Sequence, residues 1–447
     1  MNYAESLDFL DTLGFELWRA KLGLDAIITL LKALGDPQQK YPTAIVAGTN
    51  GKGSTAAILA SILQKGGYRT GLYTSPHLVR VNERIRVDSG EISDEGFARC
   101  LTDVREVTEQ LVAQKQLAYG PSFFECLTAT AFLYFAREGV NFAVLEVGMG
   151  GRLDATNITR PRVAVITPVD IDHAEYLGTT RAAIAAEKAG VIQPGQTVVS
   201  ACEDPEVAEV IHRRCQECDA NLFETFQLAP VSNLSHSEGR YAFDLSLNGN
   251  LLKGFTLPLL GRFQVTNAVT ALTAAWQLAQ QGFHISREAM REGLREVSWP
   301  GRLEMLLPRP LILVDGAHNA AAVREVAAFV KEHLAGKAVR LVYASMRDKA
   351  IGEISRILFP LAAEVYLTRP PQARAATAEE ILAAAEYQPR RVNLQPEPLR
   401  ALEAACRASA PEDVVLVTGS LYLAGTIKRA ILDGTLQLQN IARPEGG

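Results

Sequence analysis

The sequence predicts a two-domain α/β protein: an N-terminal P-loop domain built on a parallel sheet with a small antiparallel excursion, then a C-terminal Rossmann-like α/β domain. Three observations predict it. Short apolar, β-branched runs alternate with amphipathic or alanine-rich segments, the pattern of strands joined by crossover helices. The run TAIVA at 43–47 passes into GTNGKGST at 48–55 and then into the alanine-rich AAILASILQK, a strand, a glycine loop and a helix. Finally, 447 residues is long for one hydrophobic core, so two domains are expected.

Residues 5–35 repeat apolar positions at helical spacing and stop at Gly35-Asp36-Pro37. After the glycine loop and its helix, 68–73 reads as a second strand. The polar stretch 74–93, TSPHLVRVNERIRVDSGEIS, is expected as a long ordered loop before an amphipathic helix near 94–115. PSFFECLTATAFLYFAREG reads as a buried helix, and NFAVLEVGMGG as an apolar strand ending at Glu146. RVAVITPVDIDH contributes a strand at 162–167, RAAIAAEKAGVI a helix ending at Gly190, and TVVSA a further strand. Between 222 and 260 the period changes to two, with Asn248-Gly249 between YAFDLSL and LLKGFTLPL as a hairpin signal. Two helices follow, one from TNAVTALTAAWQLAQQ and one at 286–297. Trp299-Pro300-Gly301 then breaks the chain, so the domains are placed at 1–298 and 299–447. The second α/β series runs through LILVDGAHN, AAVREVAAFVKEHL, AVRLVYAS, IGEISRILFPL, AEVYLT and VVLVTGS.

Composition narrows the function. With 48% hydrophobic and 21% charged residues and a formal net charge of -5, the chain has no basic excess to attract nucleic acid. The first 24 residues carry acidic groups early and no continuous apolar run, and no later run is long enough to span a bilayer, so a cytoplasmic protein without a membrane partner is expected. Six cysteines in this length make no disulfide scaffold. The close pair Cys215 and Cys218 lacks a second pair for zinc and falls on an expected surface helix, which favours a plain structural role.

Chemistry is sought at the carboxyl ends of the strands, where open parallel sheets bind ligands. Glycines 48, 51 and 53 let successive amides of Gly48, Thr49, Asn50, Gly51, Lys52, Gly53, Ser54 and Thr55 converge on phosphate, and Lys52 can reach the outer phosphates. Compared with the general P-loop pattern, the spacing before Gly51-Lys52 is compressed. Thr74 to His77, Glu146 and Asp170 to His173 end three further strands. A hydroxyl, a carboxylate and an imidazole near phosphates suit Mg²⁺, with Glu146 in the place usually held by a Walker-B aspartate. Taken singly, His173 reads as a structural histidine and Lys188 as a helix C-terminal lysine complementing the macrodipole. Arg302 and Asp315, in the second domain, have the types needed to hold a ribose or base, and also an ordinary structural reading.

Together these segments resemble the folylpolyglutamate synthase and dihydrofolate synthase family, within the ATP-dependent amide ligases that include the Mur ligases. AGTNGKGST, LYTSPHLVRVNERIR, FFE, LEVGMGGRLDATN, DIDHAEYLG, EKAG, TNA, WPGR and DGAHN occur in that family's order across nearly the whole chain. Gly51-Lys52-Gly53-Ser54-Thr55 in place of Gly-Lys-Thr-Thr points to the folate branch.

The resemblance implies ATP-driven attachment of L-glutamate to dihydropteroate or a reduced folate through an acyl phosphate. It implies Lys52, His173 and Lys188 as catalytic groups, and two Mg²⁺ ions held by Ser75, Glu146, His173 and a carbamylated Lys188. Asn267, Arg302 and Asp315 match ATP contacts expected on the second domain, reaching the glycine loop only when the domains close. Phe123, Phe124, Asp154 and Asn157 are candidates for the pterin, the two phenylalanines having core packing as their competing reading; His318 and Ser345 are candidates for glutamate. A monomer working on small molecules is expected. The competing functions are a Mur-type ligase acting on a UDP-linked precursor and a P-loop switch without ligase activity.

Overall fold

The structure is a computed structural model and describes residues 1–13 and 23–437. The chain divides into two units, Met1–Pro258 with Val265–Val297, and Leu259–Gln264 with Ser298–Gly447.

Unit 1 is built on an eight-stranded sheet of β1 (Thr43–Ala47), β2 (Thr70–Tyr73), β3 (Ile85–Val87), β4 (Gly90–Glu91), β5 (Phe142–Glu146), β6 (Val163–Ile166), β7 (Thr197–Ser200) and β8 (Asn221–Glu224). Its order is β4-β3-β2-β5-β1-β6-β7-β8, parallel from β2 through β8. All of β1 is buried, as expected of a central strand covered on both faces by helices, which is why its sequence is apolar without alternation. Because β1 lies between β5 and β6, the loops after these three strands emerge side by side.

The stretch 74–93, expected as a loop, instead contains a 3₁₀ turn at Val81–Arg84 and a hairpin of β3 and β4 that extends the sheet antiparallel to β2. Ile85 and Ile92 are buried and anchor it, while Asp88 and Ser89, both at positive φ (49° and 70°), form the turn. Asp-Ser is a weak hairpin signal compared with Asn-Gly, so composition did not betray it. The expected antiparallel excursion has three strands, β9 (Val231–Ser237), β10 (Arg240–Leu247) and β11 (Asn250–Leu257), with Asn248 and Gly249 at φ 48° and 78° in the second turn. Within residues 5–35, helices Tyr3–Thr12 and Asp25–Ala33 are present, and 14–22 lie outside the described residues. Cys215 and Cys218 are free thiols packed in a buried apolar cluster rather than lying on a surface face.

Unit 2 carries β12 (Glu304–Pro308), β13 (Leu311–Val314), β14 (Val339–Tyr343), β15 (Glu364–Leu367), β16 (Val392–Leu394) and β17 (Val414–Thr418). The order is β12-β13-β17-β14-β15-β16, parallel except for the edge strand β12. The last strand inserts between β13 and β14, so the loops after those two strands flank a topological switch point, where such sheets bind ligands. Among the described residues no helix is long and apolar enough to cross a membrane.

Candidate active site

At the end of β1 the chain turns on Gly48, φ 144°, where a Cβ would lie 1.9 Å from Thr167 Oγ1 beyond β6. Gly51, φ 87°, leaves no more room: a Cβ there would lie 2.2 Å from Asn267 Oδ1. Both positions therefore need glycine for backbone angle and for space. The amides of Thr49 and Asn50 donate to the Pro168 carbonyl (3.0 and 3.3 Å), and Thr49 Oγ1 donates to the Asp170 carbonyl at 2.8 Å, pinning the loop to the chain after β6. The helix Lys52–Lys65 starts directly on Gly51, so its first-turn amides, which an α-helix cannot satisfy internally, open beside the loop as an anion site.

Asn267 is thus already at the loop. The expectation that it lies on the second domain and arrives by closure is corrected: the helix Arg262–Gln280 begins on residues of unit 2 but belongs to unit 1 from Val265 onward. Arg302 and Asp315 do belong to unit 2.

Two ammonium groups meet on one carbonyl. Lys52 Nζ donates to Gly48 O (3.1 Å) and Thr49 O (3.0 Å), and Lys188 Nζ donates to Gly48 O at 2.7 Å. Lys188, on the helix Arg181–Ala189, is only 4% exposed, so it is no solvated helix-end lysine. Burial, reinforced by the charge of Lys52 and opposed by Asp172, pushes its pKa down to about 7.

Glu146 closes β5 in register with Val46 and is 5% exposed, with Oε2 accepting the Ser75 amide at 3.0 Å. His173 sits at φ 52° at the start of the short helix Ala174–Leu177, its Nε2 3.9 Å from the Asp172 carboxylate. Thr55 Oγ1, on the first turn after Lys52, is buried without a hydrogen-bond partner.

Phe123 and Phe124 open the helix Phe123–Arg137, which Ser122 and Glu125 cap reciprocally. Phe124 lies 5.9 Å from the Tyr73 ring and against Gly148, while Phe123 is buried with the Arg84 guanidinium 5.5 Å from its centroid. Asp154 accepts from the amides of Gly148 (2.9 Å), Met149 (3.0 Å) and Thr156 (3.0 Å) and from Thr156 Oγ1 (2.6 Å). Burial pushes its pKa up, and those donors pull it back. Its oxygens shape the loop after β5. Asn157 Nδ2 donates to Gly190 O at 3.0 Å, tying that loop to the end of the Lys188 helix, and Asn157 Oδ1 is buried without a partner.

In unit 2, Asp315 follows β13, fully buried, with Oδ2 accepting the Leu303 amide (2.8 Å) and Oδ1 the Ala317 amide (2.7 Å). Burial raises its pKa and the Arg302 charge opposes this. Leu303 holds φ 43°, a left-handed angle that a bulky residue adopts only when its surroundings fix it, and the bond to Asp315 is one of the fixings. Glu304 supplies another, accepting the Gly301 amide at 2.9 Å on one oxygen and Lys428 Nζ on the other. The strained turn delivers Arg302 over Gly316, where Nη1 lies 2.5 Å from the place of a Cβ. His318 Nδ1 is 2.9 Å from Gly316 O; a carbonyl only accepts, so this nitrogen carries the proton. Ser345 is fully buried beyond β14, its hydroxyl on the Met346 carbonyl (3.3 Å).

Residues 46–275 match the Mur ligase middle domain, and residues 301–421 the Mur ligase glutamate ligase domain. The chain is 34% identical over 414 residues to the dihydrofolate synthase/folylpolyglutamate synthase of Bacillus subtilis, covering 92% of this chain and 95% of that one. It is 33% identical over 438 residues to the folylpolyglutamate synthase of Lacticaseibacillus casei, covering 97% and 100%. The chain belongs to the folylpolyglutamate synthase/dihydrofolate synthase family. Mycobacterium tuberculosis folylpolyglutamate synthase complexed with ADP superposes with a TM-score of 0.89 at 33% identity, covering 96% of this chain and 97% of that one. Escherichia coli FolC in complex with DHPP and ADP superposes with a TM-score of 0.86 at 30% identity, covering 98% and 99%.

Family membership makes magnesium the metal to test. Among the described residues no group of three His, Cys, Asp or Glu side chains is placed to hold an ion alone. Mg²⁺ keeps water and substrate phosphates in its shell and asks the protein for one or two oxygens. The buried Glu146 carboxylate beside Ser75, with the unpartnered Thr55 hydroxyl on the glycine-loop helix, fits that demand.

Sequence reading missed two groups of this folate-synthase chain. Arg84 is 2% exposed and donates from Nε to His77 Nδ1 at 2.9 Å, yet it reads as part of a polar loop. Ser420 caps the helix Leu421–Leu432 at the end of β17, between the loops carrying His318 and Ser345. Its signal was present: VVLVTGS is an apolar strand ending in Gly-Ser, as DGAHN ends another.

Proposed function

We propose that this chain is an ATP-dependent ligase that joins L-glutamate to the carboxylate of dihydropteroate or of a reduced folate. The observation that carries this reading is the convergence of Lys52 and Lys188 on the Gly48 carbonyl, within a glycine loop opening onto a helix N-terminus.

A carboxylate is a poor acyl donor. Transfer of the γ-phosphoryl group of ATP to it gives an acyl phosphate and ADP; the glutamate amine then attacks the acyl carbon and phosphate departs as the amide forms. The glycine-loop amides and Lys52 hold the phosphates and neutralise charge gathering on the transferred group. Magnesium, when bound, would screen the phosphate oxygens, with Ser75 and Glu146 as the first residues to hold it and His173 and Lys188 as candidates for a second ion. Lys188, with its pKa near 7, has a reactive neutral amine at neutral pH. Its nitrogen can add carbon dioxide, lose a proton and become a carbamate whose two oxygens share one negative charge, in place of the cation. Mass spectrometry under carbon dioxide tests this, and an unmodified lysine in the active protein overturns it.

On the pterin side, the half-buried Phe124 offers a flat face beside Tyr73 and Gly148, while Phe123 packs in the core with Arg84 over its ring, and Asp154 and Asn157 shape the adjoining loop. Asn267 serves the nucleotide from unit 1. Arg302 and Asp315 serve it from unit 2, where His318 and Ser345 are assigned to glutamate and Ser420 joins them. Unit 1 is accordingly the ATP-binding domain and unit 2 the glutamate ligase domain of a monomer acting on small molecules in the cytoplasm. The test is incubation with MgATP, L-glutamate and either dihydropteroate or tetrahydrofolate, with products resolved by mass. Glutamylated product with one, the other or both assigns the activity. Turnover only with a UDP-linked acid, or ATP hydrolysis indifferent to folate and glutamate, overturns it.

A further inference from the structure

The loop from Asp170 to Arg181 carries His173 and is tied at its neck. Arg181 Nε donates to Asp170 Oδ1 at 2.9 Å, joining the two ends of the loop. Through its main chain Asp170 also holds the glycine loop: its amide donates to Thr49 Oγ1 at 3.1 Å, and its carbonyl accepts from the same hydroxyl at 2.8 Å. Arg181 is the first residue of the helix Arg181–Ala189 that carries Lys188, and its Nη1 reaches Asp204 Oδ2 at 3.5 Å. Asp204 in turn caps the helix Pro205–Glu217, its Oδ1 accepting the amides of Glu206 (3.0 Å) and Val207 (3.2 Å). One guanidinium therefore gathers the loops after β6 and β7, and one aspartate joins them to the glycine loop.

Within the neck, His173 holds φ 52°, and a left-handed histidine keeps that angle only where the chain around it is held. Leu177 helps from the far side, its Cδ2 lying 3.2 Å from the place of a Cβ at Gly150 in the loop after β5. Stability is the smaller part of what the ion pair supplies. The Arg181 side chain is 42% exposed and that of Asp170 22%, and a pair so open to water adds little to folding. What it supplies is direction. The planar fork of arginine aims Nε and Nη1 at two carboxylates at once, a geometry that the point charge of a lysine ammonium does not impose.

We propose that Asp170 and Arg181 are positioning residues whose ion pair clasps the neck of the His173 loop and fixes the setting of His173 relative to the glycine loop, and with it the response of the nucleotide site to Mg²⁺. This inference rests on the ATP and magnesium reading above. It assigns neither residue a chemical step: both act through His173, and Thr49 stays bound to the Asp170 main chain whatever the side chain does.

The test is calorimetric titration of ADP into the full chain at a series of Mg²⁺ concentrations, so that no turnover is read. In the wild type Mg²⁺ is expected to tighten ADP. Arg181→Gln and Asp170→Asn should each raise the Mg²⁺ concentration at half effect by about fivefold. ADP affinity in EDTA, set by the glycine-loop amides, should stay as it was, and so should the melting temperature. The double variant should lose no more than either single one, because both remove the same pair. Arg181→Lys keeps the charge without the fork; it should recover part of the effect at low salt and lose it in about 1 M salt, where charges are screened within about 3 Å. An unchanged Mg²⁺ response in both single variants, losses that add in the double, or losses that follow the melting temperature overturn the inference and leave the ligase reading standing. A wild type that binds ADP without any response to Mg²⁺ overturns it as well. Failure of the wild type to bind ADP at all overturns the nucleotide reading, and this inference with it.

Discussion

The loop after β1 and the loop after β13 both end a central strand of their units, yet they hold charge in opposite ways. After β13 the charge is the Asp315 carboxylate, whose oxygens accept the amides of Leu303 and Ala317 beside Arg302. After β1 the charges are the ammonium groups of Lys52 and Lys188, sharing the Gly48 carbonyl. Asp154, accepting four donors, belongs with Asp315. A buried ion surrounded by matching dipoles is architecture, because its bonds fix the backbone around it. A buried ammonium with a carbonyl acceptor and a like charge for a neighbour has unspent reactivity, which is the condition of functional groups.

That contrast breaks most easily at the lysines. Lys52→Ala is expected to reduce glutamate ligation by about a thousandfold or more while the melting temperature barely moves. Loss of both, or of neither, would remove Lys52 from the phosphate site. Lys188→Met should follow with a loss of about a hundredfold, and the variant should no longer take up carbon dioxide in the mass spectrum. Full activity in Lys188→Met would return this residue to the status of an ordinary buried lysine.

How much of this contrast could be read from residues alone depends on what each loop is made of. The glycine loop was legible because Gly48 and Gly51 are required by backbone angle and by the atoms of Thr167 and Asn267, and such requirements leave glycine in the sequence. The alternating strands and helices were legible for the same kind of reason, since a parallel strand covered on both faces must be apolar throughout. Arg84 was not: a buried arginine looks like an exposed one until its partner His77 and the ring of Phe123 are in place. Nor was the setting of Asn267, which depends on a helix belonging to both units. Strand β12 escaped as a single edge strand after a Pro-Gly break, and the hairpin of β3 and β4 because Asp88-Ser89 turns without glycine.

The carboxylates should answer in stability before activity. Asp154→Asn puts an amide donor where the protein supplies donors, and is expected to cost about 3 kcal/mol in urea unfolding. Asp315→Asn, with fewer donors to leave stranded, should cost about 2 kcal/mol. A cost near zero for both would mean that these carboxylates do not hold their loops and would dissolve the distinction from the lysines. Acidity sharpens it further. Because the folded-state pKa of Lys188 lies at about 7, below its ordinary 10.5, the unfolded chain binds the extra proton between those values. The burden on the wild type is full below pH 7 and fades as pH rises toward 10.5. In buffer free of carbon dioxide, the stability of wild type relative to Lys188→Met should therefore rise over that window, by up to a few kcal/mol. A flat difference would place the ammonium in a solvated setting.

The smallest effect is expected at Glu304, which lies behind the unit 2 loop. Its two oxygens accept the Gly301 amide and the Lys428 ammonium, and Gly301 precedes Arg302 at the strained turn where Leu303 is left-handed. Glu304→Gln keeps one carbonyl oxygen for the amide but exchanges the charge facing Lys428 for a neutral amide, at a cost of about 1 kcal/mol. If the turn serves to deliver Arg302, the loss should fall on nucleotide affinity, with KM for ATP raised several-fold and kcat little changed. Loosened packing alone would lower the melting temperature and leave KM where it was. Because Asp315 still holds Leu303 in this variant, an unchanged KM would assign the whole delivery of Arg302 to the carboxylate and make Glu304 a surface charge pair.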